Sequence, residues 1–242
     1  MDDHDTPTPD TVTPDLERQL QRLEGVQAIH NLMGRRAYLH SAGLNDRELL
    51  ECWATDAPDV SFEAEDWGVW DGWDHIWNAY VEKNPFPAGT PGLLIEHTLT
   101  TPVIEVAGDG LTAKGVWISP GHETFPVPEG LPAAHWSWGR YGVDFVKENG
   151  EWRIRHLHVY TTFRTPYDQD WVDSSVNRPA HLPKKGEVVP GMPVVDRAVT
   201  FNQPYALDVV PVLQPPPPEP YGTWQETTGY TDPPKTDPSK EA

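Results

Sequence analysis

The sequence has very little cysteine, few basic residues and no long apolar run. Its single cysteine, Cys52, cannot form an internal disulfide and cannot build a thiolate metal cluster. No segment approaches the roughly 20 apolar residues that a membrane-spanning helix needs. Residues 1–14 are acidic and rich in proline, unlike a secretory signal. We therefore expect a cytoplasmic protein that has no membrane partner.

The scarcity of basic residues makes the chain strongly acidic. It carries 18 Lys and Arg against 37 Asp and Glu, a formal net charge of −19. Such a surface repels nucleic acid phosphates and anionic lipid headgroups. Nucleic acid is therefore excluded as an expected partner, although acidity alone identifies no substrate.

Tryptophan and proline are abundant, and their distribution divides the chain. The 11 Trp can supply a large aromatic core, and many of the 27 Pro follow residue 165. The sequence predicts a disordered lead (1–13), a folded domain (14–165), an extended arm (166–228) and a disordered tail (229–242). The arm is expected to pack on the body or on a neighbouring subunit.

Helices are predicted in the first third of the body. Thr13-Pro14-Asp15 is a typical helix start, and apolar residues then recur at helical spacing as far as Ala37. A short second helix is expected after Asn45. A hairpin at 60–71 precedes a third helix that ends before Pro85.

Strands are predicted in the remainder of the body. Alternating apolar residues indicate strands at 97–106, 111–119, 134–147 and 151–163, with a Pro- and Gly-rich loop before the third. Asn149-Gly150 between the last two is a strong hairpin signal. Helices followed by antiparallel strands indicate an α+β fold.

Several motifs resemble those of the SnoaL-like group of the nuclear transport factor 2-like superfamily. They are Tyr38 near the end of the first helix, Leu49–Trp53 before Asp56–Val60, Gly72–Ile76, His97 ahead of Ile104–Gly110, and Gly150–Ile154. The resemblance covers residues 15–163. It implies a cone-shaped curved antiparallel sheet wrapped around three N-terminal helices, and a homo-oligomer, either dimer or trimer. The superfamily includes dehydratases, isomerases, cyclases, hydrolases and binding modules, so the fold leaves function open.

The segment Trp117–Glu123, the Trp-rich body and the extended arm resemble bacterial lyases that act on lignin-derived diarylpropanes. Those enzymes release formaldehyde without a cofactor and leave a stilbene. This resemblance implies a cofactor-independent lyase for a hydrophobic aromatic diol. The alternatives are a dehydratase, isomerase or cyclase of polyketide or steroid type, and a non-catalytic binding module.

Cofactor-independent elimination needs a base with a near-neutral pKa and a donor for developing oxygen charge. His97 matches the pocket histidine of dehydratase-like members and is the leading candidate base, unless a backbone carbonyl satisfies it in a strand. Tyr38 is a candidate donor or a core tyrosine. His122 beside Glu123 forms either an acid–base unit or part of a solvated loop. Dehydratase-like members carry an Asp after the helix-one Tyr, which residues 39–43 lack.

His156, His158 and Tyr160 alternate along one predicted strand and therefore share a face. This face is expected either to line the cavity, in which case His158 would be catalytic, or to form an oligomer contact. A metal site is not expected, because the Glu that a cupin-like site needs is missing shortly after His158.

The remaining candidates are residues that would bind an aromatic substrate. Tryptophans can stack on aromatic rings, and an arginine between aromatic neighbours can bind a phenolate or pair with a core acid. The predicted substrate-binding residues are therefore Trp70, Trp117, Trp138, Arg140, His156, Tyr160 and His40.

Overall fold

The computed structural model describes residues 14–64, 68–126, 134–173 and 194–232. Three helices lie where the sequence predicted them. They are α1 (Pro14–Ser41), α2 (Asn45–Cys52) and α3 (Trp73–Trp77), which a π-helical turn at Asn78–Glu82 continues. None of the helices in these ranges is long and apolar enough to span a membrane.

The strands of the described residues form one curved sheet. They are β1 (Ser61–Ala64), β2 (Gly68–Asp71), β3 (Leu94–His97), β4 (Thr100–Val106), β5 (Thr112–Thr124), β6 (Ala134–Glu148) and β7 (Glu151–Pro166). The order is β2-β1-β7-β6-β5-β3, and β4 also pairs with β5. Strands β1 and β7 are parallel, so the predicted antiparallel sheet is in fact mixed. The α+β fold with helices packed on a curved sheet is confirmed.

Strand β5 is longer than predicted, because Pro120 does not end it. Pro120 lies at the break between β3 and β4, where its carbonyl accepts a hydrogen bond from the Thr98 amide at 3.0 Å. The backbone nitrogen of Pro120, which carries no hydrogen, faces the same break, so few hydrogen bonds between the strands are lost. His122 and Glu123, expected in a loop, therefore lie on a strand and point to opposite faces.

The inner face of the sheet packs against the helices and forms the core. Cross-strand neighbours such as Trp117 and Tyr141 point inward. The largest buried side chains include Ile29, Met33, Leu49, Trp53, Phe62, Trp70, Ile76, Phe145, Ile154 and Leu157. Helices and sheet therefore enclose one aromatic-rich interior.

The outer face of the sheet is covered by part of the C-terminal arm, residues 194–232. The amide of Tyr230 donates to Asp144 Oδ2 at 2.7 Å, and Lys114 Nζ donates to the Thr228 carbonyl at 2.7 Å. Tyr230 and Thr231 are buried, although the sequence analysis placed them in a disordered tail. That prediction missed them because their partners lie on strands 70 or more residues away in the sequence.

Candidate active site

His97 lies in a buried polar cluster on the inner face of the sheet. Its side chain, at the end of β3, is 14% exposed. Nε2 lies 2.9 Å from Glu123 Oε1 on β5, and Nδ1 lies 3.0 Å from the Tyr141 hydroxyl on β6. Three neighbouring strands thus place a carboxylate, an imidazole and a phenol in a chain.

The position of the imidazole ring depends on a glycine opposite it. Gly121 pairs with His97 in the β3–β5 ladder. A Cβ at Gly121 would lie 3.0 Å from His97 Cδ2 and 2.8 Å from the Ser137 carbonyl oxygen. Both distances are tighter than a side chain allows, so the absence of a Cβ lets the ring lie against the strand.

Glu123 is held as a carboxylate by Arg164 on β7. Arg164 Nε lies 2.9 Å from Oε2, and an Nη donates to Oε1 at 3.2 Å. Burial would raise the pKa of Glu123, but the charge of Arg164 and the hydrogen bond from His97 outweigh it and lower that pKa strongly. Because the ionised carboxylate only accepts, we assign the proton on Nε2 of His97.

A second buried ion pair lies behind Tyr141. Arg36 on α1 lies 3.0 Å from Glu48 Oε1 on α2, and its guanidinium carbon is 5.3 Å from the centroid of the Tyr141 ring. Arg36 and Glu48 are almost completely buried. Burial would raise the pKa of Tyr141, but the nearby charges of His97 and Arg36 outweigh it and lower the pKa.

His40, one helical turn after Arg36, completes the cluster. Its Nδ1 lies 2.8 Å from Glu48 Oε2, and its ring centroid lies 6.0 Å from that of His97. Burial opposes charge on His97, but the charges of Tyr141 and Glu123 and the hydrogen bond with Glu123 raise the pKa of His97 overall. The cluster therefore holds a proton on His97 more readily than an unperturbed imidazole does.

The structure brings four of the predicted residues to the interior. His97 and His40 lie in the cluster, and Trp117 lies on the same face of the sheet, 6.2 Å from Phe145 by ring centroids. Trp70 is also buried, but it stacks on Phe62 at 5.8 Å within the core.

Tyr38 and His122 do not join His97, and the prediction that they would share its site is wrong. Tyr38 is 84% exposed, because it lies on the side of α1 that faces away from the sheet. His122 points to the outer face, where its ring lies 4.9 Å from that of Trp136.

Trp138 and Arg140 also lie on the outer face rather than beside His97. Trp138 is 36% exposed and stacks on Phe163 at 5.9 Å. Arg140 donates to the carbonyl of Gln214 in the arm at 2.8 Å. The alternation of β6 points them away from Tyr141.

His156, His158 and Tyr160 share a face, as predicted, but it is the outer one. His156 Nδ1 lies 2.9 Å from Asp144 Oδ2. His158 and Tyr160 both bond to the carbonyl of Tyr230. Burial lowers the pKa of His158 to about 3, so a proton is not retained there at neutral pH. Here the face contacts the chain's own arm.

A cavity of about 450 Å³ lies between the arm and the outer face. Lys114 and Tyr160 line its sheet side, and residues 216–221 and 226–230 line its arm side. The sheet separates it from His97. The ammonium group of Lys114 is already paired with Asp144, so this cavity offers no free cation from the sheet.

The sequence analysis missed most partners of His97. Glu123 was considered only with its neighbour His122, while Tyr141, Arg36, Glu48 and Arg164 were not singled out. For Glu123 a signal existed: extending the alternation of β5 past Pro120 puts Trp117, Gly121 and Glu123 on one face. The ion pair of α1 and α2 has no comparable signal, since it depends on how the helices pack.

Residues 21–158 match the SnoaL-like domain family, which is more than half of the chain. The chain therefore belongs to the SnoaL-like family, and the resemblance noted in the sequence is confirmed. No curated protein sequence matches it.

Solved structures share this fold. One is a candidate scytalone dehydratase from Novosphingobium aromaticivorans DSM 12444, with 15% identity, a TM-score of 0.51, and coverage of 69% of this chain and 99% of that one. Another is a hexachlorocyclohexane dehydrochlorinase, LinA type 2, with 16% identity, a TM-score of 0.51, and coverage of 68% and 99%. At such identities the likeness concerns the fold alone.

Proposed function

We propose that this protein is a cofactor-independent lyase whose acid–base unit is formed by His97, Glu123 and Tyr141. The observation that carries the proposal is the buried imidazole between an ionised carboxylate and a phenol, 2.9 and 3.0 Å away. A carboxylate on one ring nitrogen fixes the tautomer and stabilises the imidazolium, as acid–base chemistry by histidine requires.

The proposed substrate is a lignin-derived diarylpropane diol. The bond to the hydroxymethyl carbon and the benzylic C–O bond break, and a C=C bond forms between the two aryl-bearing carbons. The hydroxymethyl oxygen gives its proton to the base, and the departing benzylic hydroxyl takes up a proton. The products are a stilbene, formaldehyde and water, so no oxidant or reductant is needed.

The buried surroundings of His97 include aromatic side chains, which supports an aromatic substrate. Trp117 and Phe145 supply aromatic surface on the same face of the sheet as His97. Ser119 on that face has a buried hydroxyl that makes no hydrogen bond within the described residues. It is a candidate partner for a substrate hydroxyl.

The second candidate function is a dehydratase, isomerase or cyclase of polyketide or steroid type. It uses the same pair of His97 and Tyr141, because protonation of a leaving hydroxyl or an enol needs the same groups. The two similar structures carry the names of a dehydratase and a dehydrochlorinase, which are elimination activities. A dehydratase would release water but no formaldehyde.

The first test uses chelator-treated protein and a panel of diaryl diols. Stilbene absorbance and trapped formaldehyde are measured in the same reaction, and the lyase predicts equal amounts of both. His97→Ala should lose this activity, whereas His122→Ala, which changes an exposed histidine on the outer face, should retain it. Loss of water without formaldehyde would favour the dehydratase, and binding without turnover would favour a binding module.

A further inference from the structure

The hydroxyl of Tyr141 contacts Nδ1 of His97, which is the ring nitrogen that can act as a base. Glu123 accepts the proton of Nε2, so the lone pair of the neutral imidazole lies on Nδ1. The Tyr141 hydroxyl lies 3.0 Å from Nδ1 and donates to it. A substrate hydroxyl therefore cannot reach that lone pair along the same direction. A proton that leaves the substrate reaches His97 through the tyrosine oxygen.

The surroundings of Tyr141 favour its ionised form. Arg36 and His97 face the hydroxyl from α1 and β3, and both carry or can carry positive charge. The other ionisable groups of the cluster are Glu48, Tyr80, His40, Glu123 and Arg164. The two glutamates are paired with Arg36 and Arg164 respectively, and burial of the phenol is outweighed by the nearby charges of His97 and Arg36, which lower the pKa of Tyr141.

We propose that Tyr141, rather than His97, is the catalytic residue that exchanges a proton directly with the substrate. The tyrosine proton first moves to Nδ1 of His97, and the phenolate that this leaves takes the proton of the substrate hydroxyl. The reverse transfer then protonates the departing hydroxyl. Glu123 and Arg36 are positioning residues, since the first orients the imidazole and the second stabilises the phenolate. This inference rests on the proposed lyase function.

The reactive state of Tyr141 is tested without any substrate. The near-ultraviolet absorbance of tyrosinate is followed against pH for the wild type, Tyr141→Phe and the matched control Tyr38→Phe. We expect one tyrosine of the wild type to ionise well below the others, and this transition to be absent only from Tyr141→Phe. If all three proteins titrate alike, the inference is overturned.

Activity then tests the role of the tyrosine in the reaction. Tyr141→Phe should lower kcat about 100-fold or more, within the range of general acid–base groups, with little change in KM. A rate within about threefold of wild type would make His97 the direct base and overturn the inference. A low-pH tyrosinate in a protein that turns over no diol would instead refute the lyase assignment alone.

A second variant guards against misfolding of Tyr141→Phe. Arg36→Lys keeps the positive charge but removes the planar guanidinium that lies over the Tyr141 ring. It should shift the tyrosinate transition to higher pH and lower kcat in parallel. If kcat falls while the tyrosinate transition stays at the same pH as in the wild type, Tyr141 does not act as a phenolate.

Discussion

The imidazole of His97 and the carboxylate of Glu123 are 2.9 Å apart, although 26 positions separate them in the sequence. His97 lies opposite Gly121 in the β3–β5 ladder, so Glu123 is its diagonal neighbour on the same face. The pair is therefore held by strand register rather than by a loop. A site built in this way keeps its geometry without substrate.

Replacing Glu123 by glutamine should impair catalysis more than binding. The amide cannot stabilise an imidazolium, so we expect kcat to fall by about 100-fold while KM changes little. Steady-state kinetics on the diol that is turned over measures this effect. Glu151→Gln, at a glutamate whose side chain is 71% exposed, is the matched control and should behave as wild type. Equal kcat values for both variants would refute the role of Glu123.

The buried pair of Arg36 and Glu48 should be costly to break on one side only. Glu48→Gln leaves a buried guanidinium without its counter-charge, and we expect a loss of about 3 kcal/mol in the free energy of unfolding. The double variant Arg36→Met/Glu48→Leu should recover much of that loss, because both charges are gone. Urea unfolding checks both values. A Glu48→Gln variant as stable as wild type would show that water screens the pair.

Stability should fall on the alkaline side because of His156. Burial opposes its charge, but hydrogen bonds to Asp144 and Asp59 raise its pKa from 6.5 to about 9. The contribution of the protonated ring is therefore complete below pH 6.5 and is lost as the pH rises through about 9. We expect this loss to be on the order of 1–3 kcal/mol.

Urea unfolding at pH 6 and pH 9 checks the contribution of His156, with His156→Gln and His122→Gln compared. The first variant should reduce the pH dependence, because glutamine does not titrate. The second alters an exposed histidine and should leave the pH dependence unchanged. Equal slopes in all three proteins would contradict the assignment.

The arm should loosen when Gly142 gains a methyl group. A Cβ at Gly142 would lie 2.8 Å from the ring of Tyr230, which must then shift. We expect Gly142→Ala to lose about 1–3 kcal/mol of stability and to be cleaved faster by protease after residue 194. Gly34→Ala, at a helical glycine with no atom within 4 Å of the added carbon, is the control. Equal cleavage rates would mean that Tyr230 does not hold the arm.

The sequence predicted the elements better than the site. Helical spacing from Leu16 onward and the Asn149-Gly150 turn are local signals, so α1 and the β6–β7 hairpin were predicted closely. His97 was found because it matches a family position. Tyr38 was also taken from a family position, and it was wrong because α1 buries the side that carries Ile29 and Met33 and leaves Tyr38 84% exposed.

The outer-face residues were harder to interpret for a different reason. Strict alternation places His156, His158 and Tyr160 on the same face as the core residues Trp152 and Ile154, but a register shift at Asp144/Phe145 skips Arg155 and turns the three residues to the outer face. The contact with the arm depends on Tyr230, which lies 70 residues beyond Tyr160 in the chain. Contacts of that range leave no pattern in the local sequence.

The carboxylate of Asp144 receives Lys114 and His156 from the sheet and the amide of Tyr230 from the arm. During synthesis the strands leave the ribosome before residue 230 does. Until residue 230 has been synthesised, the charged side chains of the outer face are exposed to water instead of being covered by the arm. The outer face is therefore completed only when Tyr230 packs against Asp144. The burial of Asp144 thus depends on a residue that is synthesised 86 positions later.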